Sequence, residues 1–248
     1  MLSEATTKKL KFLRLGGWID SWSKVIEASQ HEKISFESLL VDMIDEEYSR
    51  KQGTALISRI KRAHIPELWQ METFPFEKQP KLSRRKIMAA FDSFDYILSK
   101  KNMVWMGPTG CGKTGLATSF LMRALEKNYT GLFIAFPDLV HKLYQAAADH
   151  SEQDVLKPYV QCDCLVIDEI GYIEVEPAQV GLFFELMHRR HKRASTLITT
   201  NLGFPEWSSF LKNKHLTAAL IDRITENCDV FNLSGCVSLR HATKKQPE

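Results

Sequence analysis

The sequence lacks any apolar run of the length that a membrane span requires, which excludes an integral membrane protein. Lysines occur near its start, but no apolar stretch of signal-peptide length follows them. Cysteine is scarce: the chain has five, an odd number that fits reduced thiols better than a disulfide framework. We therefore expect a cytoplasmic protein.

Metal-binding patterns are missing as well. Cys162 and Cys164 flank Asp163, so they do not have the two-residue gap of a zinc knuckle, and no second pair matches them. The eight histidines show no ligand spacing either. We interpret all five cysteines as small core residues.

A strong charge bias is also absent, because the formal net charge is only +3. Its distribution is uneven: residues 1–86 carry 16 basic and 12 acidic residues, whereas the remainder carries 17 and 18. Nucleic acid is one partner that such a basic region would suit, and a solvated helical surface is an equally good explanation.

The pattern of residues changes along the chain. Residues 1–64 have helical periodicity, with Ser35 as a predicted N-cap and Gly53 as a predicted break. Residues 65–81 contain three prolines and little periodicity, which predicts a linker. We expect an all-helical N-terminal domain over 1–64, for DNA binding or assembly, and a second domain over 82–248. The predicted apolar face of the N-terminal domain consists of Phe36, Leu39, Leu40, Met43 and Ile44.

The second domain alternates short apolar strands with helices, which predicts an α/β fold with a parallel sheet between helices. The predicted strands cover residues 103–106, 132–136, 165–167, 196–200 and 230–233. The predicted helices cover 83–99, 113–127, 177–191 and 205–227, and one more begins at Pro137.

A phosphate-binding loop follows the first predicted strand and matches G-x-x-x-x-G-K-[ST] in full. Its glycines let backbone N–H groups point at phosphate oxygens, and the next helix adds its positive end. Lys113 is expected to reach the β- and γ-phosphates of ATP, and the Thr114 hydroxyl to ligate Mg²⁺. The predicted nucleotide-binding residues are Gly107, Pro108, Thr109, Gly110, Cys111, Gly112, Lys113, Thr114 and Gly115.

Two adjacent carboxylates follow the third predicted strand, where ligands bind in open α/β sheets. Asp168 is expected to hold Mg²⁺, and Glu169 to polarise the attacking water. Ionised carboxylates after an apolar strand need cations or solvent to meet them. Together with the phosphate-binding loop, this pair predicts a P-loop ATPase.

Two further residues are candidates for catalysis. Asn201 ends the fourth predicted strand, where it is expected to hydrogen-bond the γ-phosphate or the attacking water; capping of the next segment is the alternative. Arg223 lies near the last predicted strand, and it is expected either to reach the ATP of a neighbouring subunit or to pair with Asp222.

Two groups of basic residues are candidates for DNA contacts. Arg59, Lys61 and Arg62 lie on one short helical stretch. A second basic run, residues 188–193, contains Arg189 and Arg190 and ends just before the fourth predicted strand. A solvated helix end with favourable dipole interactions explains much of this run, and contact with DNA or with a neighbouring subunit is the alternative.

These motifs together resemble the IstB family of transposition helper ATPases, which is close to the DnaC and DnaI helicase loaders within the AAA+ superfamily. The resemblance covers nearly the full chain and is most specific in the segments FPEW and LTAALIDRI. It rests on IKRAHIP (60–66), Phe74, Phe76, GPTGCGKT (107–114), LVIDEIGY (165–172), LITTN (197–201), FPEW (204–207), LTAALIDRI (216–224), Gly235, Ser238 and Arg240.

The resemblance implies that Asn201 is the sensor 1 residue and Arg223 the arginine finger. It also implies an ATP-dependent oligomer that binds double-stranded DNA with little sequence preference and recruits the transposase of its own insertion sequence. Cys111 and Gly115 depart from the Thr or Ser and the His common in the family, and neither change removes a ligand. The segment around Arg240 resembles the family's short C-terminal strand, and no full lid domain is expected.

Three alternatives remain. A DnaC-like replicative helicase loader is not separated from the helper by sequence. A P-loop small-molecule kinase is disfavoured by the Asp168-Glu169 pair and by the lack of an Arg-rich lid segment. An inactive DNA-binding module would be expected to lose Lys113 or Glu169, and this chain keeps both.

Overall fold

A computed structural model describes residues 2–31, 35–173 and 175–240. The chain forms two compact units, Met1–Ser58 and Arg59–Glu248. The predicted linker over 65–81 therefore lies within the second unit, and the boundary falls inside a helix. Within the ranges described, no helix is long and apolar enough to cross a membrane.

The first unit is helical, as predicted. Helix α1 spans Glu4–Phe12, α2 spans Gly16–His31 and α3 spans Phe36–Ala63, whose last residues belong to the second unit. The Ser35 hydroxyl accepts a hydrogen bond from the Ser38 N–H at 3.1 Å, which confirms the N-cap. The expected break at Gly53 is wrong, because α3 continues through it.

A buried carboxylate holds α2 against α3. Glu47 of α3 accepts hydrogen bonds from the Gly17 N–H at 2.6 Å and the Trp18 N–H at 3.3 Å, so it satisfies donors that a helix start leaves unpaired. The predicted apolar face of α3 is only partly buried: Met43 is in the core, whereas Phe36 is 75% exposed.

The second unit contains five parallel strands in the order β2-β3-β4-β1-β5. This confirms the predicted α/β fold. The strands are β1 Asn102–Met106, β2 Gly131–Ala135, β3 Cys164–Ile170, β4 Ser195–Thr200 and β5 Cys228–Asn232. The helices are α4 Arg84–Ser93, α5 Asp95–Leu98, α6 Lys113–Glu126, α7 Phe136–Ala148, α8 Glu152–Gln161, α9 Pro177–Arg190, α10 Phe204–Phe210 and α11 Lys214–Thr225.

The described structure differs from the predicted elements in four places. The predicted 83–99 helix is split at Phe94, whose φ of 59° is left-handed, and the 205–227 helix is split into α10 and α11. Helix α8 was not predicted; Pro158 inside it obscures its pattern. The expected C-terminal strand is absent, because the described residues 233–240 form turns and extended backbone.

Arg190 was predicted to contact DNA, and its position in the fold contradicts this. The residue is 1% exposed at the end of α9. Its guanidinium donates to the Thr196 hydroxyl at 2.9 Å, to the Cys162 carbonyl at 2.8 Å, and to the carbonyls of Tyr159 and Ser195. Arg190 therefore joins the ends of α8 and α9 to the start of β4.

We predict that Arg190→Lys lowers the free energy of unfolding by about 2–4 kcal/mol, because an ammonium cannot reach all of the acceptors that the planar guanidinium serves. Chemical denaturation measures the effect. The matched control is Arg193→Lys at an exposed position, for which a change below about 0.5 kcal/mol is expected. Equal stability of the two variants would contradict the structural role.

Candidate functional site

The phosphate-binding loop connects β1 to α6, as its sequence predicts. Gly110 and Gly112 have φ values of 82° and 97°, which side-chain-bearing residues rarely adopt. A Cβ at Gly112 would also lie 2.7 Å from the Phe74 ring. Helix α6 begins at Lys113 directly after the loop, so its free N–H groups face the site.

Lys113 lies beneath this loop. Its ammonium donates to the carbonyls of Gly107 at 2.8 Å and Pro108 at 2.9 Å, and the side chain is buried. Burial lowers the pKa of Lys113, while the nearby carboxylates of Asp168 and Glu169 oppose that shift. A cation that lacks full solvation gains strongly from an arriving phosphate.

Thr114 and Asp168 meet across the same cleft. The Thr114 hydroxyl lies 3.1 Å and 3.0 Å from the two carboxylate oxygens of Asp168. Burial raises the pKa of this carboxyl, although hydrogen bonds from Thr199 and Thr114 oppose the shift. Hydroxyl and carboxylate oxygens are ligands that Mg²⁺ prefers, so the pair fits this ion.

The described residues contain no cluster of three or more His, Cys, Asp or Glu side chains arranged to hold a metal. An Mg²⁺ ion at Thr114 and Asp168 would therefore take its remaining ligands from phosphate and water, which is the usual arrangement for this ion.

A β-bulge in β3 shapes the end of the cleft that contains Asp168 and Glu169. The register with β4 shifts between Ile167 and Ile170, and Glu169 has a left-handed φ of 65°. Successive residues of a regular strand point to opposite faces, and a bulge re-aims one of them. Both Asp168 and Glu169 consequently line one cavity.

Thr199 of β4 stabilises the bulge, and the sequence analysis missed it. Its hydroxyl accepts a hydrogen bond from the Glu169 N–H at 3.0 Å and donates to an Asp168 carboxylate oxygen. The sequence feature that could have indicated this role is a pair of threonines, Thr199 and Thr200, at the end of a predicted strand.

Asn201 follows β4 and is exposed, and it is not among the residues that line the cavity. It lies beside Gly171, where a Cβ would be 2.7 Å from the Asn201 side-chain oxygen. Gly171 has a φ of 103°, so this position suits only glycine. The catalytic role of Asn201 stays a prediction.

The cleft forms one cavity of about 670 Å³, within the range of small-molecule sites. We call it the nucleotide cavity. Its phosphate end contains the loop, Lys113 and Thr114, and its carboxylate end contains Asp168, Glu169 and Tyr172, whose hydroxyl is 2.9 Å from the Thr109 hydroxyl. Its other lining residues are Pro66, Glu67, Trp69, Gly115, Phe133, Ala135, Thr199, Leu239 and Arg240.

Two segments distant in sequence support the loop. Gln79 is fully buried; its amide donates to the Cys111 carbonyl at 3.2 Å and the Val237 carbonyl at 2.7 Å, and accepts from the Val237 N–H at 3.0 Å. The Leu239 N–H also donates to the Gly110 carbonyl at 2.8 Å. The segment that contains Gln79, residues 65–81, was predicted from the sequence to be a linker.

Arg223 lies outside the nucleotide cavity of its own chain. Its guanidinium is 4.7 Å from the centre of the Phe184 ring, and it donates to the His188 ring nitrogen at 3.3 Å and the Ala219 carbonyl at 2.9 Å. None of these three contacts involves Asp222, so they do not correspond to the alternative of a local ion pair between Arg223 and Asp222. The side chain is held on a surface formed by α9 and α11.

The two basic groups differ in their contacts. In the second run, Arg189 pairs with Glu185 at 2.6 Å and Lys192 pairs with Glu226 at 2.5 Å, so acidic side chains offset their charge. In the first group, Lys61 and Arg62 are exposed, and Arg59 is half-buried and donates to the Leu125 carbonyl at 3.0 Å.

The fold is similar to that of solved replication proteins. The crystal structure of the DnaC helicase loader superposes with a TM-score of 0.51 at 23% identity, covering 60% of this chain and 86% of that one. AMPPCP-bound DnaA from Aquifex aeolicus superposes with a TM-score of 0.56 at 14% identity, covering 71% and 53%. These likenesses show an AAA+ P-loop fold.

Relatives are found among proteins named for insertion sequences and ATP binding. One, named for IS232 of Bacillus thuringiensis subsp. berliner, is 31% identical over 92% of this chain and 91% of its own length. Another, named for IS5376 of Geobacillus stearothermophilus, is 31% identical over 90% and 88%. The family described as IstB-like ATP-binding protein matches residues 8–247. With nearly the whole chain matched, this protein belongs to the IstB-like family of ATP-binding proteins.

Proposed function

We propose that this protein is a Mg²⁺-dependent ATPase that assembles on double-stranded DNA and recruits the transposase of its own insertion sequence. The observation that carries the proposal is the convergence of Lys113, Thr114, Asp168 and Glu169 on one cavity. Lys113 supplies a cation for the phosphates, and Thr114 and Asp168 supply two Mg²⁺ ligands. Glu169 supplies a base for the attacking water.

Each group has a distinct task in hydrolysis. Lys113 leaves its loop carbonyls to bind the β- and γ-phosphates, because a phosphate is a better acceptor for an ammonium than neutral carbonyls. Thr114 and Asp168 would hold Mg²⁺, which neutralises developing charge on the phosphates. Glu169 accepts a proton from the attacking water, and its exposed position in the cavity leaves room for that water.

Arg223 is proposed to act on the ATP of a neighbouring copy. It lies away from its own nucleotide cavity, and its ring and histidine contacts hold the guanidinium at a surface. An arginine supplied across an interface stabilises transition-state charge. This makes hydrolysis depend on assembly.

The DNA and transposase roles rest on family membership and on the exposed basic end of α3. Relatives named for insertion sequences favour a transposition partner. The likeness to a DnaC helicase loader supports a second candidate, the loading of a replicative helicase. Co-purification with a transposase or with a helicase separates the two.

The first prediction concerns hydrolysis. Lys113→Ala is expected to abolish ATP binding, because the phosphates lose their main cation. Glu169→Gln is expected to bind ATP but to lower kcat by about 10²–10⁴-fold, because an amide cannot take a proton from water. ATP titration and phosphate release measure the two effects. Equal turnover by wild type and Glu169→Gln would contradict the assigned base.

The second prediction concerns assembly. Arg223→Ala is expected to bind ATP normally and to hydrolyse it about 10³-fold more slowly. Mixing it with Glu169→Gln is expected to restore part of the activity, because one mixed interface keeps both groups intact. Light scattering with one labelled variant confirms mixed oligomers. Mixed oligomers without recovery at any ratio would assign Arg223 a role within its own chain.

The third prediction concerns DNA. The double variant Lys61→Ala and Arg62→Ala is expected to weaken binding to unrelated duplexes equally, because phosphate contacts carry no sequence information. The log–log slope of affinity against salt should become shallower by about 0.9 per lost phosphate contact. Fluorescence anisotropy across a salt series, with ATP present, measures both.

The matched control for DNA binding is Lys192→Ala with Arg193→Ala, which removes the same charge from the second run. It is expected to change affinity less, because Glu226 already offsets Lys192. A larger loss in this control would move the DNA surface to α9. Absence of DNA binding by the wild type at low salt would contradict the transposition role.

A further inference from the structure

One wall of the nucleotide cavity is not used by the phosphate and water chemistry. Pro66, Glu67 and Trp69 form this wall, which belongs to the segment between α3 and α4. Trp69 is half-buried, so part of its indole faces open space. Among the described residues, no other aromatic ring stacks on it.

The indole packs directly on the first turn of α6. A Cβ placed at Gly115 would lie 3.0 Å, 3.2 Å and 3.4 Å from three ring carbons of Trp69, so the ring would have to move by a few tenths of an ångström to make room for it. Gly115 follows Lys113 and Thr114 immediately, and all three line the cavity. The absence of a side chain at residue 115 therefore lets the ring lie beside the phosphate site.

We propose that Trp69 is the platform on which the adenine base of ATP stacks, and that Gly115 is needed to hold the indole in place. This inference rests on the proposed ATP binding. A nucleotide whose terminal phosphate faces Glu169 extends away from the carboxylate end of the cavity. Its base then needs a flat apolar surface to pack against. Tryptophan offers the largest such surface of any side chain, and it stacks on aromatic bases.

The test compares ATP with tripolyphosphate, which has the phosphates without the base. Calorimetric titration in magnesium buffer is expected to show about tenfold weaker ATP binding by Trp69→Ala and unchanged tripolyphosphate binding. Trp69→Phe keeps an aromatic face and should remain within about threefold of wild type for ATP. Tryptophan emission of the wild type should change with ATP and not with tripolyphosphate, and this change should be lost in Trp69→Phe.

A second test compares two glycine-to-alanine variants, at Gly115 and at Gly181. Gly115→Ala should shift the indole and weaken ATP binding more than tripolyphosphate binding, but by less than Trp69→Ala does. Gly181→Ala is the matched control, because Gly181 is also helical and has no atom within 4 Å of an added Cβ. It should bind ATP as the wild type does.

Several results would overturn the inference. Equal loss of ATP and tripolyphosphate binding in Trp69→Ala would assign the indole to support of the phosphate-binding loop. Unchanged ATP affinity in that variant would place the base elsewhere in the cavity. Failure of the wild type to bind either ligand would instead contradict the proposed ATPase, so the two failures are distinguishable.

Discussion

The carboxylate end of the nucleotide cavity depends on the hydroxyl group of Thr199, which lies opposite the β-bulge of β3. Thr199 accepts from the Glu169 N–H and donates to Asp168, so it stabilises a backbone conformation that an ordinary strand would not adopt. A non-glycine residue at such a positive φ costs about 1–2 kcal/mol. Without the bulge, two successive carboxylates would point to opposite faces of β3, and only one would reach the nucleotide cavity.

The phosphate end depends on a different kind of support. A loop of glycines has little intrinsic preference for one conformation, so contacts from elsewhere must hold it. Gln79 and Leu239 provide hydrogen bonds to its carbonyls, and Phe74 fills the space next to Gly112. The supporting segments lie before β1 and after β5. Contacts from segments distant in sequence therefore hold the loop in its observed shape.

The fold buries some basic residues and leaves others at the surface, and only those at the surface are available for binding. Arg190 is buried among carbonyl groups, and burial lowers its pKa, although its sequence neighbours are exposed or half-buried. Arg223 instead rests on Phe184 and His188 at a surface of α9 and α11. Our proposals for DNA and for assembly therefore use different helices, the end of α3 for DNA and the α9 and α11 pair for assembly.

The sequence by itself determined the parallel α/β fold, the phosphate-binding loop and the Asp168-Glu169 pair, because these depend on local periodicity and on motifs of fixed spacing. Only the tertiary structure placed Thr199 against Asp168 and Glu169, Gln79 against the phosphate-binding loop and Trp69 beside Gly115, since these partners lie far away along the chain. Burial of Arg190 was hidden for the same reason: a basic run at a helix end looks solvent-exposed until the packing of neighbouring elements encloses one of its members.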